Sequence, residues 1–400
     1  MHCNECEAVS RRQFLVRAGA AFGALGLADP LLNIVARTYA QSSAGTGNIL
    51  VLCQLNGGFD GLSFLAPFTS AQYMSNRPQL KLSAAQVNPL PDAPDLGINK
   101  QFQFFSDLYA QGQLQVIQQV AYPRGNGSHF ESQEIYEYGV RNLASASGTA
   151  ATWYERLRKS YFDAPYGVMS VEQIGDPQRY GYPDSTYRRA SQDAFGRLAE
   201  MKQNRSPMQQ AVLDSYKKID QLGAEIRTRT SAFTSSGAAR GEFYRAAQLA
   251  SANLGTQIFK VEYGGFDTHG SQIDANSRLF PRINNEFQQF VTDMQNLGLW
   301  NRTAVLFYTE FGRRNKENGS PGTDHGHGGH MLLVGPNVNG GLNGQTPTQN
   351  DLAQDNLPYY VDFRAVYSGV IRQWLGFDPA PIFQIDGETY SEQLGRSLFR

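Results

Sequence analysis

The stretch Asn48–Leu55, "NILVLCQL", is an apolar run bounded by glycine on both sides. A run this short and this apolar reads as a strand buried on both faces, as in a parallel sheet. It empties into "NGGFDGLS", a glycine-rich turn carrying Asn56 and Asp60. The same grammar recurs downstream. "LQVIQQVAY" (Leu114–Tyr122) predicts a second strand, and "TQIFKVEYGGFDTHG" a third that runs into a turn with Asp267 and His269. "RTAVLFYTEFGRR" predicts a fourth, ending at Glu310, and "HMLLVG" a fifth.

Helical spacing fills the gaps. "FQFFSDLYAQG" (Phe102–Gly112) has a glycine stop, and Ser128 N-caps a helix running to about Tyr138, with Glu131 at the capping-box position and Gly139 beyond the end. "RLFPRINNEFQQFVTDMQNLG" is amphipathic, with Pro281 tolerable only near the helix start. A last helix spans about Asp362–Leu375 and stops at Gly376. Residues 70–100 read mostly as loop, and residues from about 187 to 255 as a helical insertion of two or three helices. Strands alternating with helices predict an α/β fold, a mostly parallel central sheet with helices on both faces.

The chain has 400 residues, 41% hydrophobic and 18% charged, which is a globular composition. Its net charge of −1 calls for neither nucleic acid nor an anionic membrane as partner. "SRRQFLVRAGAAFGALGLA" pairs Arg11 and Arg12 before a short Ala/Gly-rich apolar stretch, and reads as a twin-arginine export signal. The stretch Val16–Ala28 is interrupted by Arg17 and too short for a stable membrane span. A cleavage site follows Ala40 in "RTYAQSS". The expected organisation is therefore a signal peptide over residues 1–40 and one α/β domain over 41–400, delivered to the periplasm or secreted by the twin-arginine export machinery. Cys3 and Cys6 leave with the signal, and Cys53 remains without a partner.

In a parallel sheet, ligands bind beyond the carboxyl ends of the strands. Asp60 follows the first strand, Ser128 and His129 the second, Asp267 and His269 the third, and Glu310 the fourth. Asp324, His325, His327 and His330 come just before the fifth. The chain holds six histidines, and all five outside the signal fall in these turns. Asp, Glu and His together form the ligand set of one or two divalent ions, zinc, manganese or calcium, and glycine lets the backbone aim them. His325 and His330 are the preferred ligands of the histidine loop and His327 the dispensable one. Ser128 stands at a helix N-terminus, where an anion is favoured and a hydroxyl can serve as nucleophile. Arg124, Arg313 and Arg314 flank the turns as candidate clamps for an anion such as phosphate or sulfate.

The ordered set "LNGGFDGL", "SHFESQ", "GGFDTH", "TEFGR", "TDHGHGGHMLLVG" and "DFRAVYSGVIRQWLG" behind a twin-arginine signal resembles the bacterial family called domain of unknown function 1501. That family is similar, more remotely, to the alkaline phosphatase and sulfatase superfamily. The resemblance implies an alkaline-phosphatase-like fold. It places Asp60 (or Asn56) in the role of the first-strand carboxylate and Ser128 in that of the nucleophile. Asp267 and His269 then resemble the Asp/His pair of one metal, Glu310 stands where the superfamily often has Asp-His with Asp324-His325 as a compensating pair, and His325, His327 or His330 supplies the late histidine. Phe311 stands where the superfamily often has histidine. The function expected is an exported metal-dependent hydrolase of a phosphate or sulfate ester, on a small-molecule or polymer substrate. In this reading the Ser128 hydroxyl, its pKa lowered by a divalent ion, attacks, and His129 or a loop histidine carries the leaving-group proton. The alternative is a non-catalytic periplasmic binding or assembly protein that keeps the scaffold without the chemistry.

Overall fold

The computed structural model describes residues 47–141, 151–161, 167–171, 207–384 and 389–400. The expected signal peptide, and the part of the expected insertion before residue 207, lie outside the described residues. The strands are β1 (Ile49–Leu55), β2 (Leu65–Ala66), β3 (Val87–Pro89), β4 (Gly97–Asn99), β5 (Leu114–Ala121), β6 (Val168–Ser170), β7 (Ile258–Tyr263), β8 (Thr303–Tyr308), β9 (Gly329–Val334), β10 (Gly341–Gly344) and β11 (Val361–Asp362). The longer helices are α1 (Gln103–Ala110), α2 (His129–Tyr138), α3 (Trp153–Tyr161), α4 (Pro207–Thr230), α5 (Glu242–Ser251), α6 (Gln272–Asn296) and α7 (Phe363–Val370). Residues Ile371–Leu375 continue α7 as one π turn, and Gly376 ends it with φ 78°.

The central sheet runs β10-β5-β9-β8-β1-β7-β6, with β11 also beside β5. β1 pairs in parallel with both β7 and β8. Its side chains alternate between two cores, as the buried-on-both-faces reading requires. Ile49, Val51, Cys53 and Leu55 join the face covered by α1, α5 and α6. Leu50 and Leu52 join the face covered by α2, α3 and α7. The sheet is thus mostly parallel with helices on both sides.

One strand departs. β9 runs antiparallel to both β5 and β8. Residues 309–328, which join β8 to β9, contain no helix. Without a crossover element the chain turns back beside the strand it has just left. Residues preceding a parallel strand lie at the amino edge of a sheet. The reversal of β9 instead puts the loop before it at the edge where β1, β5, β7 and β8 end.

Three other expectations change. Residues 70–100 are not mostly loop: β2, β4 and β3 form a small antiparallel sheet, and Ala71–Asn76 is a helical turn capped by Ser70. Strands of two or three residues carry no readable period. α6 begins at Gln272, so Pro281 falls inside the helix rather than near its start. The ring denies the Ser277 carbonyl its donor, but Ser277 is exposed, where water can serve it. The fourth strand ends at Tyr308, which leaves Glu310 in the loop beyond. Among the described residues no helix is long and apolar enough to cross a membrane.

α6 presents Phe280, Ile283, Phe287, Phe290 and Met294 to the sheet at helical spacing. Phe287 is fully buried, with its ring centroid 5.1 Å from those of Phe105, Phe243 and Phe307. Phe287→Ala is expected to lower the unfolding free energy by about 3–5 kcal/mol through lost burial and the cavity left behind. A shift below about 1 kcal/mol in urea denaturation would contradict this packing.

Candidate metal centre

The loop "GSPGTDHGHGGH" answers why glycine separates its histidines. Gly326 N–H donates to the Gly312 carbonyl at 2.8 Å, and Gly312 N–H to the His327 carbonyl at 2.9 Å. A Cβ on Gly326 would lie 2.4 Å from the Arg313 carbonyl carbon, and one on Gly328 2.4 Å from the Pro358 oxygen. The loop can therefore lie flat on the segment after β8 only where side chains are missing. This contact turns His325 inward over the ends of β5 and β7.

Three histidines then converge on one carboxylate. Asp267 Oδ1 lies 3.1 Å from His325 Nε2, 3.1 Å from His269 Nε2 and 3.4 Å from His129 Nε2. His269 Nε2 and His325 Nε2 are 2.9 Å apart. Ligand atoms of His129, Asp267 and His325 all lie within 4.8 Å of one another. Each ring is held from behind through Nδ1. His129 Nδ1 meets Glu310 Oε1 at 2.7 Å, His325 Nδ1 meets the Gly127 carbonyl at 2.8 Å, and His269 Nδ1 meets Asp324 Oδ1 at 3.2 Å. All three partners only accept, so the ring protons belong on Nδ1 and the Nε2 lone pairs face the centre. An acceptor behind each imidazole is what fixes a histidine for metal ligation.

The electrostatics agree. Partial burial alone would raise the Asp267 carboxyl, but the hydrogen bond and the charge of Arg313 outweigh it and hold the group down at about 2. Asp324 is lowered by its hydrogen bonds from Asn318 and His269. Both carboxylates are thus ionised wherever an ion could bind. His129 Nε2 is buried and makes no hydrogen bond, which in an interior position wants a partner. Phe311 packs its ring 4.8 Å from the centroids of both His129 and His325, an apolar wall on the inner side.

The remaining expected residues stand elsewhere. Glu310 is buried and takes Gly57 N–H at 2.8 Å, Gln133 Nε2 at 3.2 Å and the His129 ring. It orients a ligand rather than offering a free oxygen. Asp60 is not in the cluster. Its carboxylate is taken by Arg77 at 2.5 and 3.1 Å, by Ser63 Oγ at 2.6 Å and by Gln272 Nε2 at 2.7 Å. His330 lies in β9, fully buried, with its ring against Gly61 and no hydrogen bond at either nitrogen. Burial lowers its pKa, so it is a neutral core side chain. His327 donates through Nε2 to the Tyr122 carbonyl at 2.8 Å and clips two loops together. Arg313 is not an open anion clamp. Its guanidinium is buried against the carbonyls of Gly57, Gly58, Phe266 and Thr323 and against Asp267 Oδ1 at 2.6 Å. Arg124 is exposed in the loop before α2 with φ 59°, and Arg314 reaches Asp324 only at 3.9 Å. Ser128 caps α2, its Oγ accepting Glu131 N–H at 3.4 Å, and is half-buried one residue from His129.

Three supporting residues escaped the sequence reading. Gln133 sits four positions after His129 on α2, a spacing that puts both on one face and both on Glu310. That signal was present but unspecific. Asn318 donates to Asp324 Oδ1 at 3.0 Å, and Arg77 reaches Asp60 from a loop. No pattern in the chain marks either.

Fold and cluster together define an α/β protein with an imidazole–carboxylate site at the carboxyl edge of its sheet. The chain belongs to the family described as Protein of unknown function (DUF1501), which matches residues 151–382. That span holds Asp267, His269, Glu310, Asp324 and His325 but not Ser128 or His129. No curated protein matches the chain. Among solved structures it is similar to the lipoteichoic acid synthase LtaP from Listeria monocytogenes, at 10% identity and a TM-score of 0.35, over 85% of this chain and 75% of that one. It is similar to Ps i-CgsB, at 8% identity and TM-score 0.38, over 85% and 74%. It is also similar to the alkaline phosphatase from the Antarctic bacterium TAB5, at 12% identity and TM-score 0.33, over 82% and 99%. Likeness at this level assigns neither activity nor ligands to this chain.

Two stability outcomes follow from the geometry. Gly326→Ala must push the histidine loop off the Arg313 backbone and is expected to cost about 1–3 kcal/mol; an unchanged urea midpoint would contradict the close approach. Arg77→Met leaves Asp60 buried without its partner and is expected to cost about 3–5 kcal/mol near neutral pH. Burial would raise the Asp60 carboxyl, but Arg77, Ser63 and Gln272 together lower it. A depressed folded value stabilises above the unfolded pKa of about 3.9 and is lost as pH falls through the folded one. The gap between wild type and Arg77→Met should therefore close on acidification below about pH 4. A gap that stayed constant to pH 2 would place the cost in packing instead.

Proposed function

We propose that the chain is an exported, metal-dependent hydrolase of a phosphate or sulfate ester, with its metal site at His129, Asp267 and His325. The observation that carries the reading is the convergence of three Nδ1-held imidazoles on one ionised carboxylate at the carboxyl edge of the sheet. The donor set fits a divalent ion, and the buried His129 Nε2, 3.4 Å from Asp267 Oδ1 and without a hydrogen bond, gives it a reason to be there. Such an ion supplies a Lewis acid that polarises an ester oxygen and lowers the pKa of a nearby hydroxyl.

The chain's own residues do the rest. Glu310 fixes the tautomer of His129, and Phe311 keeps the inner side of the site apolar. The ten-residue helix α2 turns its N-terminus towards the site, where unpaired backbone N–H groups and the dipole favour the oxygens of an anionic ester. Ser128, at that N-terminus and adjacent to His129, is the proposed nucleophile. Export rests on the twin-arginine signature at Arg11 and Arg12.

Two observations favour a second reading, a metal-binding protein without turnover. Arg313, the buried arginine at the site, has its donors committed to the protein, and Ser128 Oγ has no bond to a base among the described residues. One experiment separates the readings. The chain is equilibrated with Zn²⁺ or Mn²⁺, desalted, analysed for metal, and assayed on aryl phosphates and aryl sulfates. The hydrolase reading expects bound metal and turnover in wild type, both lost in Asp267→Asn, with metal kept but turnover lost in Ser128→Ala. Bound metal with equal silence in wild type and Ser128→Ala would decide for the binding protein. Metal at background level in wild type would end both.

A further inference from the structure

The contact between His269 Nε2 and His325 Nε2, 2.9 Å, is too short for two facing lone pairs. Each ring has its Nδ1 proton committed, His325 to the Gly127 carbonyl and His269 to Asp324. Both Nε2 atoms therefore present lone pairs to one another, and the arrangement is repulsive unless a positive charge lies between them. A proton would join two rings. Here Asp267 Oδ1 lies within 3.4 Å of all three Nε2 atoms, and His129, Asp267 and His325 bring ligand atoms within 4.8 Å of one another, the donor arrangement of a cation with His269 at its edge.

The four donors are not equivalent. His129 and His325 are about three-quarters covered, at 24% and 26% exposure, while His269 is exposed at 47%. Their supports differ in the same way. Glu310, behind His129, is fully buried and tied to the turn after β1. Asp324, behind His269, is 43% exposed and tied to Asn318 and weakly to Arg314. The inner donors sit in the frame, and the outer one sits on the rim.

We propose that the site holds a single ion of the zinc class in a four-donor set, His129 Nε2, Asp267, His325 Nε2 and His269 Nε2, in which His269 is the ligand that yields to the substrate anion. This rests on the metal reading above. Three imidazoles and one carboxylate select zinc or cobalt over calcium and magnesium, whose sites are built of oxygen. Four protein donors close a tetrahedron, as in structural sites, whereas catalysis needs an open position. Departure of His269 as a neutral imidazole, its Nδ1–H still donated to Asp324, would open that position without a proton changing hands. Asp324 is thereby a holder of the outer ligand rather than a ligand of a second ion.

The test uses the full chain stripped of metal, with Zn²⁺ followed by calorimetry and Co²⁺ by visible absorption. The expected result is one equivalent of either ion, none of Ca²⁺, and an intense tetrahedral cobalt spectrum. Inorganic phosphate should change that spectrum, and His269→Ala should show the changed form before phosphate is added. Asp324→Asn, which keeps the ring but loosens its support, should weaken zinc binding by about 10–100-fold. Two equivalents of zinc would overturn the single-ion site. Unchanged zinc affinity and cobalt spectrum in His269→Ala would remove His269 from the ligand set while leaving the metal reading standing. A wild-type spectrum indifferent to saturating phosphate would overturn the displacement. No binding of either ion by wild type would instead bring down the metal reading itself.

Discussion

β9 runs against its two neighbours, and the meeting of the histidine loop with Asp267 and His129 follows from that reversal. Had it run parallel, like the other strands of the central sheet, the histidine loop would lie at the amino edge, a strand's length away from Asp267 and His129. Antiparallel pairing with β5 and β8 brings the loop back over the strand ends. The glycines then let it settle on the backbone after β8, and His325 arrives between the turns that follow β5 and β7. Direction of one strand, rather than identity of any one residue, makes a site out of residues scattered along the chain.

Much of this was legible in advance. β1, β5, β7 and β8 are core strands whose apolar runs leave little choice, and Ser128 caps α2 with Gly139 in the left-handed region beyond it, as the capping signals require. The gathering of histidines at strand ends was also readable from position alone. Strand direction was not. The absence of a helical pattern between Tyr308 and Gly329 was the available clue, since a parallel connection there needs a crossover. Roles within the site were the least legible. Asp60 and Glu310 are carboxylates at strand ends like Asp267, yet one is closed off by Arg77 and the other is turned to hold His129. Residue type tells what a side chain can donate or accept, but only the neighbours tell whether it is free to do so. His330 and His327 make the same point, one sealed in the core and one bound to the Tyr122 carbonyl.

Arg313 looked like a surface guanidinium poised for an anion, and the interior shows why it is not. A planar group with its donors in a rigid fork is suited to gathering carbonyls from several directions. Here it gathers those of the turn after β1, the turn after β7 and the loop before β9, and it closes on Asp267. These loops are consequently tied to one another through a single side chain. The site is framed on its inner side by one buried cation, while His269 and Asp324 stand exposed on its outer side.

The ligands are also far apart along the chain. His129 is separated from Glu310 by 181 positions, His325 from Gly127 by 198, and His325 from Asp267 by 58. The complete site exists in no local fragment, although Asp324–His330 alone carries three histidines and an aspartate within seven residues. An ion held by the assembled site as proposed would stabilise the native state by its preference for that site over the histidine-rich stretch of the unfolded chain, a latch on a finished structure rather than a seed for it.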